Sequence, residues 1–123
     1  MVVHFSGAKI DHVDEVEGGI LVAYDADRKI VDITVRGHSG ASRLDLVDGS
    51  GASGDARLTY DAEVDALSVD ASGSSYFDSE EVMPGLIVDY GTEGFVRGFE
   101  FLDASQFFSV STMADIRKRA RLL

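Results

Sequence analysis

Three histidines and two nearby acids are residues of this chain that could hold a metal ion. His4, Asp11, His12 and Asp14 lie near one another in sequence, and His38 comes after a predicted strand. Imidazole and carboxylate groups together suit divalent first-row metals, so His4, His12, Asp14 and His38 are candidate metal ligands. The alternative is an ordinary protein surface, because the alternating pattern puts His4 on the solvent side of its strand.

Ser39 stands in a segment that resembles the nucleophile elbow of the α/β-hydrolases, where a serine between glycines follows a strand. In the sequence GHSGA from Gly37 to Ala41, alanine replaces the second glycine of that motif. A strand pattern rather than a helix follows, and no histidine lies after Ser39 to act as its base. We therefore predict a glycine-rich turn that closes a hairpin, and no nucleophile at Ser39.

Two further motifs point to chemistry that the rest of the chain does not support. The segment around His38 is similar to the opening of the ribosomal-processing cysteine protease family, but without any cysteine a thiolate mechanism is impossible. Gly49, Gly51 and Gly54 have the spacing of a dinucleotide-binding loop, yet a strand and not a helix is predicted behind them. We predict a linker there and no cofactor.

Clustered carboxylates offer a possible acid–base pair. They are Glu80 and Glu81 in one segment and Asp61, Glu63 and Asp65 in another. No neighbour that would shift their pKa values can be identified from the sequence, and runs of acids in turns usually form a solvated face. We therefore assign no catalytic residue and favour a protein without enzymatic activity.

The charge of the chain limits its partners. The 123 residues carry a net charge of −11 and include no cysteine. An acidic body repels nucleic-acid phosphates, so we expect at most a weak attraction through the basic tail, at Arg117, Lys118, Arg119 and Arg121. No apolar run approaches the ~20 residues of a membrane span. We expect no membrane partner and a cytoplasmic location.

An internal similarity organises the elements that carry these residues. Residues 14–39 align with residues 80–105 without a gap at an offset of 66, with identities that include Gly19/Gly85 and Tyr24/Tyr90. The alignment predicts one domain over 1–123, with a degenerate first repeat at 1–47, a Gly/Ser linker at 48–55 and a second repeat at 56–105.

Apolar residues alternate with polar ones through most of both repeats, which predicts strands and hairpins. The fold class is therefore mainly β, a β-rich α+β domain. We expect antiparallel sheets from two related β-meander halves, packed as a sandwich or barrel-like domain. Their apolar faces should meet, with Ile20, Val22, Ile33 and Val35 opposite Leu86, Val88, Phe99 and Phe101.

The tail changes to a helical period. Met113, Ile116, Ala120 and Leu123 form one apolar stripe, which predicts a C-terminal helix over about 113–122 within the segment 111–123. Thr112 is the expected N-cap, with Asp115 three residues later as its capping-box partner.

The stretch from Leu58 to Ser105 resembles a small bacterial family known as domain of unknown function 2283. The resemblance rests on three groups of residues: Tyr60, Asp61, Glu63, Asp65, Ala66 and Leu67; Glu81, Pro84 and Gly85; and Gly98, Glu100, Leu102, Asp103, Ala104 and Ser105. It implies a small β-rich fold with no assigned activity and an antitoxin-like role beside a small toxin. The N-terminal half resembles a degenerate copy of the same unit.

The function predicted from these observations is a non-catalytic interaction module that binds a protein partner or associates with itself through exposed edge strands. The alternative is a small metal-binding protein or hydrolase that uses His4, His12, His38 and nearby carboxylates.

Overall fold

A computed structural model describes residues 1–37, 43–47, 51–53, 57–70 and 75–123. It contains two six-stranded sheets and two helices, which confirms a mainly β fold with a C-terminal helix. Most neighbouring strands are antiparallel; in the described part of the chain only β1/β5 and β7/β12 are parallel. Neither sheet closes into a barrel within this part of the chain, so the two layers form a sandwich.

The first sheet, sheet A, has the order β2-β3-β4-β1-β5-β6. Its strands are β1 (Val2–His4), β2 (His12–Glu17), β3 (Ile20–Tyr24), β4 (Ile30–Val35), β5 (Arg43–Asp45) and β6 (Gly51–Ser53). The second sheet, sheet B, has the order β12-β7-β8-β11-β10-β9. Its strands are β7 (Arg57–Asp61), β8 (Ala66–Asp70), β9 (Tyr76–Met83), β10 (Leu86–Gly91), β11 (Val96–Phe101) and β12 (Arg121–Leu122). Helix α1 (Ala104–Phe107) and helix α2 (Val110–Arg119) lie between β11 and β12 in sequence.

Strands β2, β3, β4 and β1 pair in the same order as β9, β10, β11 and β8. Each pair of facing residues in the first set has a counterpart 66 residues later in the second set. Val22 opposes Ile33 and Val88 opposes Phe99, and the same correspondence holds for Val3/Ile33 and Val69/Phe99. The irregularity after Ala23 returns after Asp89. Gly19 and Gly85 both adopt positive φ, immediately before β3 and β10 respectively. This conformation favours glycine, which explains why both repeats have glycine at this position.

The inner faces of the two sheets form one hydrophobic core. All eight apolar residues expected at this interface, four from each sheet, are buried in a single cluster. Aromatic rings join the layers: Phe5, just beyond β1, lies 6.0 Å from Phe101 of β11 and 4.6 Å from Phe108, between the centres of the rings. The prediction that the two apolar faces meet is confirmed.

The segment expected to be a linker and the predicted C-terminal helix both differ from expectation. Gly51–Ser53 form β6, which pairs with β5, while the rest of 48–55 lies outside the described residues. Helix α2 begins three residues earlier than expected, with Ser109 as its N-cap, whose hydroxyl accepts a hydrogen bond from the Thr112 amide at 3.1 Å. The prediction of Thr112 as N-cap is wrong because Ser109 has the extended backbone of a cap, whereas Thr112 is buried inside the first turn.

The end of the chain is a strand and not a helix, so the predicted helix extends too far. Arg121 and Leu122 pair in parallel with β7, and the Leu123 amide donates to the Tyr60 carbonyl at 3.0 Å. Leu123 is therefore not part of the buried helical stripe, in which Met113 and Ile116 are buried.

Gly98 of β11 offers a test of the packing between strands. A Cβ atom at this position would overlap the carbonyl oxygen of Val69 on the neighbouring strand. We predict that Gly98→Ala lowers the free energy of unfolding by roughly 2–3 kcal/mol, measured by urea denaturation. Gly18→Ala is the matched control, because a Cβ atom there meets no atom within 4 Å. Equal stabilities of the two variants would contradict this account.

Candidate functional site

A groove of about 810 Å³ opens at one end of the sandwich, where the edges of both sheets and helix α1 meet. We call it the edge groove. It is lined by residues near β2 and β3, by the turn after β3, by β9 and by α1: Asp11, His12, Asp14, Tyr24, Ala26, Arg28, Met83, Gln106 and Phe107. The Lys29 ammonium donates to the Gln106 carbonyl at 3.1 Å and ties the turn to the helix.

His12 is the centre of the polar side of the edge groove. Its ring stacks on that of Tyr24, with centres 4.8 Å apart and planes 15° apart. Nδ1 lies 3.3 Å from Asp11 Oδ2, and Nε2 lies 4.0 Å from Asp14 Oδ2. His12 is thus held between two carboxylates and one aromatic face.

His4, another candidate metal ligand, lies away from the edge groove. His4 stands on β1, three strands away from β2 in sheet A, and alternates with the buried Val3 and Phe5, so its side chain lies on the outer face. His4 Nε2 donates to the Ser6 carbonyl at 2.8 Å, and Nδ1 lies 4.0 Å from Asp45 Oδ2. The structure therefore does not bring His4 and His12 together.

His38 and Ser39 lie outside the described residues, as do Gly49 and Gly54. Among the residues described, no group of three histidine, aspartate or glutamate side chains is arranged to hold a metal ion. Of the sequence candidates, His12, Asp11 and Asp14 lie side by side.

Asp65 organises a second cluster, at the junction of the β7–β8 turn and α1. The Tyr60 hydroxyl donates to Oδ1 at 2.6 Å, and the Ser105 amide donates to Oδ2 at 3.0 Å, with a further bond from the Ser105 hydroxyl. The Arg117 guanidinium lies 5.7 Å from the centre of the Tyr60 ring. Burial by itself raises the pKa of Asp65, but the hydrogen bonds from Ser105 and Tyr60 and the charge of Arg117 lower it below its ordinary value. Asp65 is therefore an anion at neutral pH that joins β7 and the β7–β8 turn to α1.

Asp89 is a buried carboxyl on the outer face of sheet B, a residue that the sequence did not single out. Burial, a hydrogen bond to Glu100 and the charges of Glu100 and Asp70 raise the pKa of Asp89 to about 7, against the opposing effect of Arg97. Its Oδ1 atom is buried without a hydrogen-bond partner. Arg97 instead pairs with Asp70 on the next strand at 3.1 Å. Near neutral pH the Asp89 carboxyl is therefore partly protonated.

The outermost strand of sheet B carries an exposed acidic surface. We call β9, from Tyr76 to Met83, the acidic edge, because Asp78, Glu80 and Glu81 lie on it and are exposed. Tyr76 and Phe77 at its beginning are also exposed, by 54% and 69%. The alternation rule could not find this strand because both of its faces are exposed over most of its length.

The basic tail is distributed over two elements. Arg117, Lys118 and Arg119 form the last turn of α2, where cations complement the helix dipole, and Arg121 lies on β12. Neither helix in the described part of the chain has the length and apolar character needed to cross a bilayer.

The fold and its surfaces define a small two-sheet β protein with a C-terminal helix, an acidic free edge and a polar groove. Residues 57–105, which comprise β7 to β11 and the start of α1, match the model of the family described as "Protein of unknown function (DUF2283)". This match confirms the resemblance for that segment. No curated protein and no solved structure matches the chain.

We predict that Asp65→Asn lowers the free energy of unfolding by roughly 1–3 kcal/mol at pH 7, because charge-assisted hydrogen bonds are lost. Asparagine tolerates the positive φ of 55° at this position, so the backbone is not strained. The lowered pKa means that the contribution of Asp65 is present at neutral pH and is lost as the pH falls below about 4. Urea denaturation at pH 7 and pH 3 tests this, with Asp61→Asn as control. A deficit of the same size at both pH values would refute it.

The effect of Asp89→Asn on the free energy of unfolding should have a pH dependence opposite to that of Asp65→Asn. A raised pKa means that the folded chain binds a proton that the unfolded chain releases, so the free energy of unfolding falls as the pH rises from about 4 to about 7. We expect the variant to lose this decline and to be more stable than the parent at pH 8, by roughly 1–2 kcal/mol. Denaturation at pH 5 and pH 8 measures it, with the exposed Asp78→Asn as control. The idea fails if parent and variant differ equally at the two pH values.

Proposed function

We propose that the protein is an interaction module that binds a basic, extended segment of a partner protein as an added strand on the acidic edge. The observation that carries this proposal is an eight-residue outer strand whose first six residues are all exposed, from Tyr76 to Glu81. A free edge of this length is a template for strand addition, in which backbone hydrogen bonds supply affinity and side chains supply specificity.

The backbone of the acidic edge supports strand addition at Ser79. The Ser79 amide donates a hydrogen bond to the side chain of Asp78, its neighbour in sequence, at 2.9 Å. This N–H group therefore points away from the sheet, where the Asp78 carboxylate accepts its hydrogen bond. A partner carbonyl can replace the Asp78 carboxylate at little cost, since that exposed carboxylate is readily solvated.

The charge of the edge favours a basic partner over a second copy of the same strand. Two acidic edges side by side would bring Asp78, Glu80 and Glu81 of each copy together, and such like charges are a common protection against self-pairing. Lysine or arginine on alternate positions of a partner would instead face these acids. Tyr76 and Phe77 add apolar area for its remaining side chains.

The shared registers of the two sheets support the further proposal that the N-terminal half is a divergent copy of the family unit. Strand β2 then corresponds to β9, and its acids Asp14, Glu15 and Glu17 are exposed as well. The Arg36 guanidinium lies 3.8 Å from Glu15 and partly neutralises β2. For this reason β9, which is also longer, is the edge we assign to the partner.

We predict that Ser79→Pro abolishes binding of a synthetic peptide of about eight residues that alternates lysine and valine. Proline removes the outward N–H group and leaves the bonds to β10 intact, a position where edge strands tolerate it. NMR titration of the labelled protein should show shifts confined to β9 and β10 in the parent, and an affinity at least about tenfold weaker in the variant. The stability of the variant should stay within about 1 kcal/mol of the parent.

Charge variants supply the control for this experiment. Glu80→Gln with Glu81→Gln should weaken peptide binding and reduce its dependence on salt, whereas Glu63→Gln with Glu93→Gln, also exposed, should not. No shifts on β9, shifts confined to α2, or unchanged affinity in Ser79→Pro would overturn the proposal. Concentration-dependent shifts on β9 without peptide would assign the edge to the basic tail of a second copy and would equally overturn it.

A further inference from the structure

We infer that a proton on the Asp89 carboxyl controls how firmly the acidic edge is attached to sheet B. When Asp89 is protonated, the exposed part of this strand, Tyr76–Glu81, stays paired with β10; when Asp89 is ionised, this part detaches more often. The inference concerns the regulation of the surface used in the proposed function. It rests on that function only for its consequence, which is weaker strand addition at high pH.

Asp89 lies in the middle of the pairing between β10 and the acidic edge. It faces Ser79 of β9 on one side and Gly98 of β11 on the other. Facing residues of an antiparallel pair have their side chains on the same side of the sheet, with Cβ atoms about 4.5–5.5 Å apart. Gly98 has no side chain, so the flank of Asp89 toward β9 is the one that a facing side chain covers. Detachment of β9 therefore opens this flank to water.

The surroundings of the Asp89 carboxyl favour its neutral form. The residue is only 6% exposed, and Oδ1 is buried without a hydrogen-bond partner. A neutral carboxyl tolerates this better than a carboxylate, because an unpaired charge costs far more to bury than an unpaired dipole. Asp89 also forms a hydrogen bond with Glu100, and two carboxyl groups can form such a bond only while one of them is protonated.

The charged groups around Asp89 do not neutralise it. Arg97 is the nearest cation, but its guanidinium pairs with Asp70 at 3.1 Å. Burial, the hydrogen bond to Glu100 and the charges of Glu100 and Asp70 outweigh Arg97 and raise the pKa of Asp89 to about 7. The full set on this face of sheet B comprises Glu100 and Arg97 on β11, Asp70 on β8, Arg57 opposite Asp70 on β7, and Glu81, two residues beyond Ser79 on β9.

Sheet A shows that the fold does not require an acid at this position. Ala23 has in sheet A the register position of Asp89, and it is likewise buried, at 3% exposure. The same irregularity follows both residues. Thr34 has the position of Glu100, so the β2–β3–β4 pairing has the same backbone arrangement without the carboxyl pair. Sheet A is therefore an internal control for any effect of Asp89.

Strand β9 is the element of sheet B that can respond to the charge of Asp89. Within the part of the chain that the structure describes it pairs with β10 alone, and its residues Tyr76–Glu81 are all exposed. Val82 and Met83 are instead packed against the core, and Met83 accepts a hydrogen bond from the Tyr24 hydroxyl at 3.6 Å. Segments with few buried contacts open locally at low cost, so detachment is confined to Tyr76–Glu81.

The direction of the pH response follows from proton binding. Asp89 has a pKa of about 7 in the attached state, and solvation in the detached state returns it toward the ordinary value of about 3.9. Between these values the attached strand binds more protons than the detached one, so the equilibrium constant for detachment rises with pH and levels off above about pH 7.

The test is amide hydrogen exchange of the full chain, measured by NMR at pH 5 and pH 8 and divided by the intrinsic exchange rate at each pH. The opening constants of protected amides in Tyr76–Glu81 should rise by about tenfold or more from pH 5 to pH 8, and those of β2 by less than about twofold. Asp89→Asn should remove the difference, and so should Asp89→Ala, which installs the residue of sheet A. Asp78→Asn, at an exposed position of β9, is the matched control that retains it.

Several results would overturn the inference. They are an equal pH response in β2 and β9, a response that survives in both Asp89 variants, and loss of the response in excess calcium, which would assign the carboxyls to a cation. Opening constants in β9 equal to the global unfolding constant from urea denaturation would also overturn it, because detachment would then not be local. The exchange is measured without peptide, so a failure of the proposed function leaves this test intact.

Discussion

Burial of the inner faces of two sheets against each other is the interaction on which the rest of this structure depends. Phe5, Phe101 and Phe108 meet in the middle of this core, although they come from sheet A, from sheet B and from the segment before α2. Without disulfides, which the chain cannot form, this contact must supply most of the stability. The positions of the edges, the groove and the helix follow from the way in which the two layers meet.

The core also explains why the surface chemistry lies at the edges. Large apolar residues of the central strands are buried inside, so the outer strands β2 and β9 carry acids that keep their free backbone groups soluble. The same acids give both edges a negative charge. The edge groove arises where β2 and β9 approach each other, because Tyr24 of one sheet reaches Met83 of the other there.

The sequence predicted the central strands of the core and missed the outer strands β2 and β9. Alternation of apolar residues predicted the inward-facing residues of β3, β4, β10 and β11, because a half-buried strand must alternate. Strands β2 and β9 have no such alternation, since most of their residues are exposed on both faces. The helix start was misplaced because Ser109 and Thr112 have the same capping chemistry, and only the backbone distinguishes them.

Prediction of the candidate sites was limited for a related reason: their members meet across strands. His12 and Asp14 are two residues apart, so a sequence pattern can name them together, but Tyr24 and Met83 join them only through sheet packing. Asp89 and Glu100 lie on adjacent strands, and the pKa of Asp89 is set by burial that no local pattern encodes.

The hydrogen bonds of the Asp65 cluster explain why several of the residues that carry the family resemblance occur together. Tyr60 and Asp65 lie near the start of the matched segment and Ser105 is its last residue, yet their side chains bond directly. The carboxylate of Asp65 thus fastens the β7–β8 hairpin to the start of α1, and the Ala104 amide adds a bond to the Asp65 carbonyl at 2.8 Å. A unit of this size buries little apolar area by itself, so the hydrogen bonds of Asp65 that join its two ends contribute a large share of its stability. Tyr60, Asp65 and Ser105 therefore have a structural role within the family resemblance, because they hold the two ends of the matched segment together.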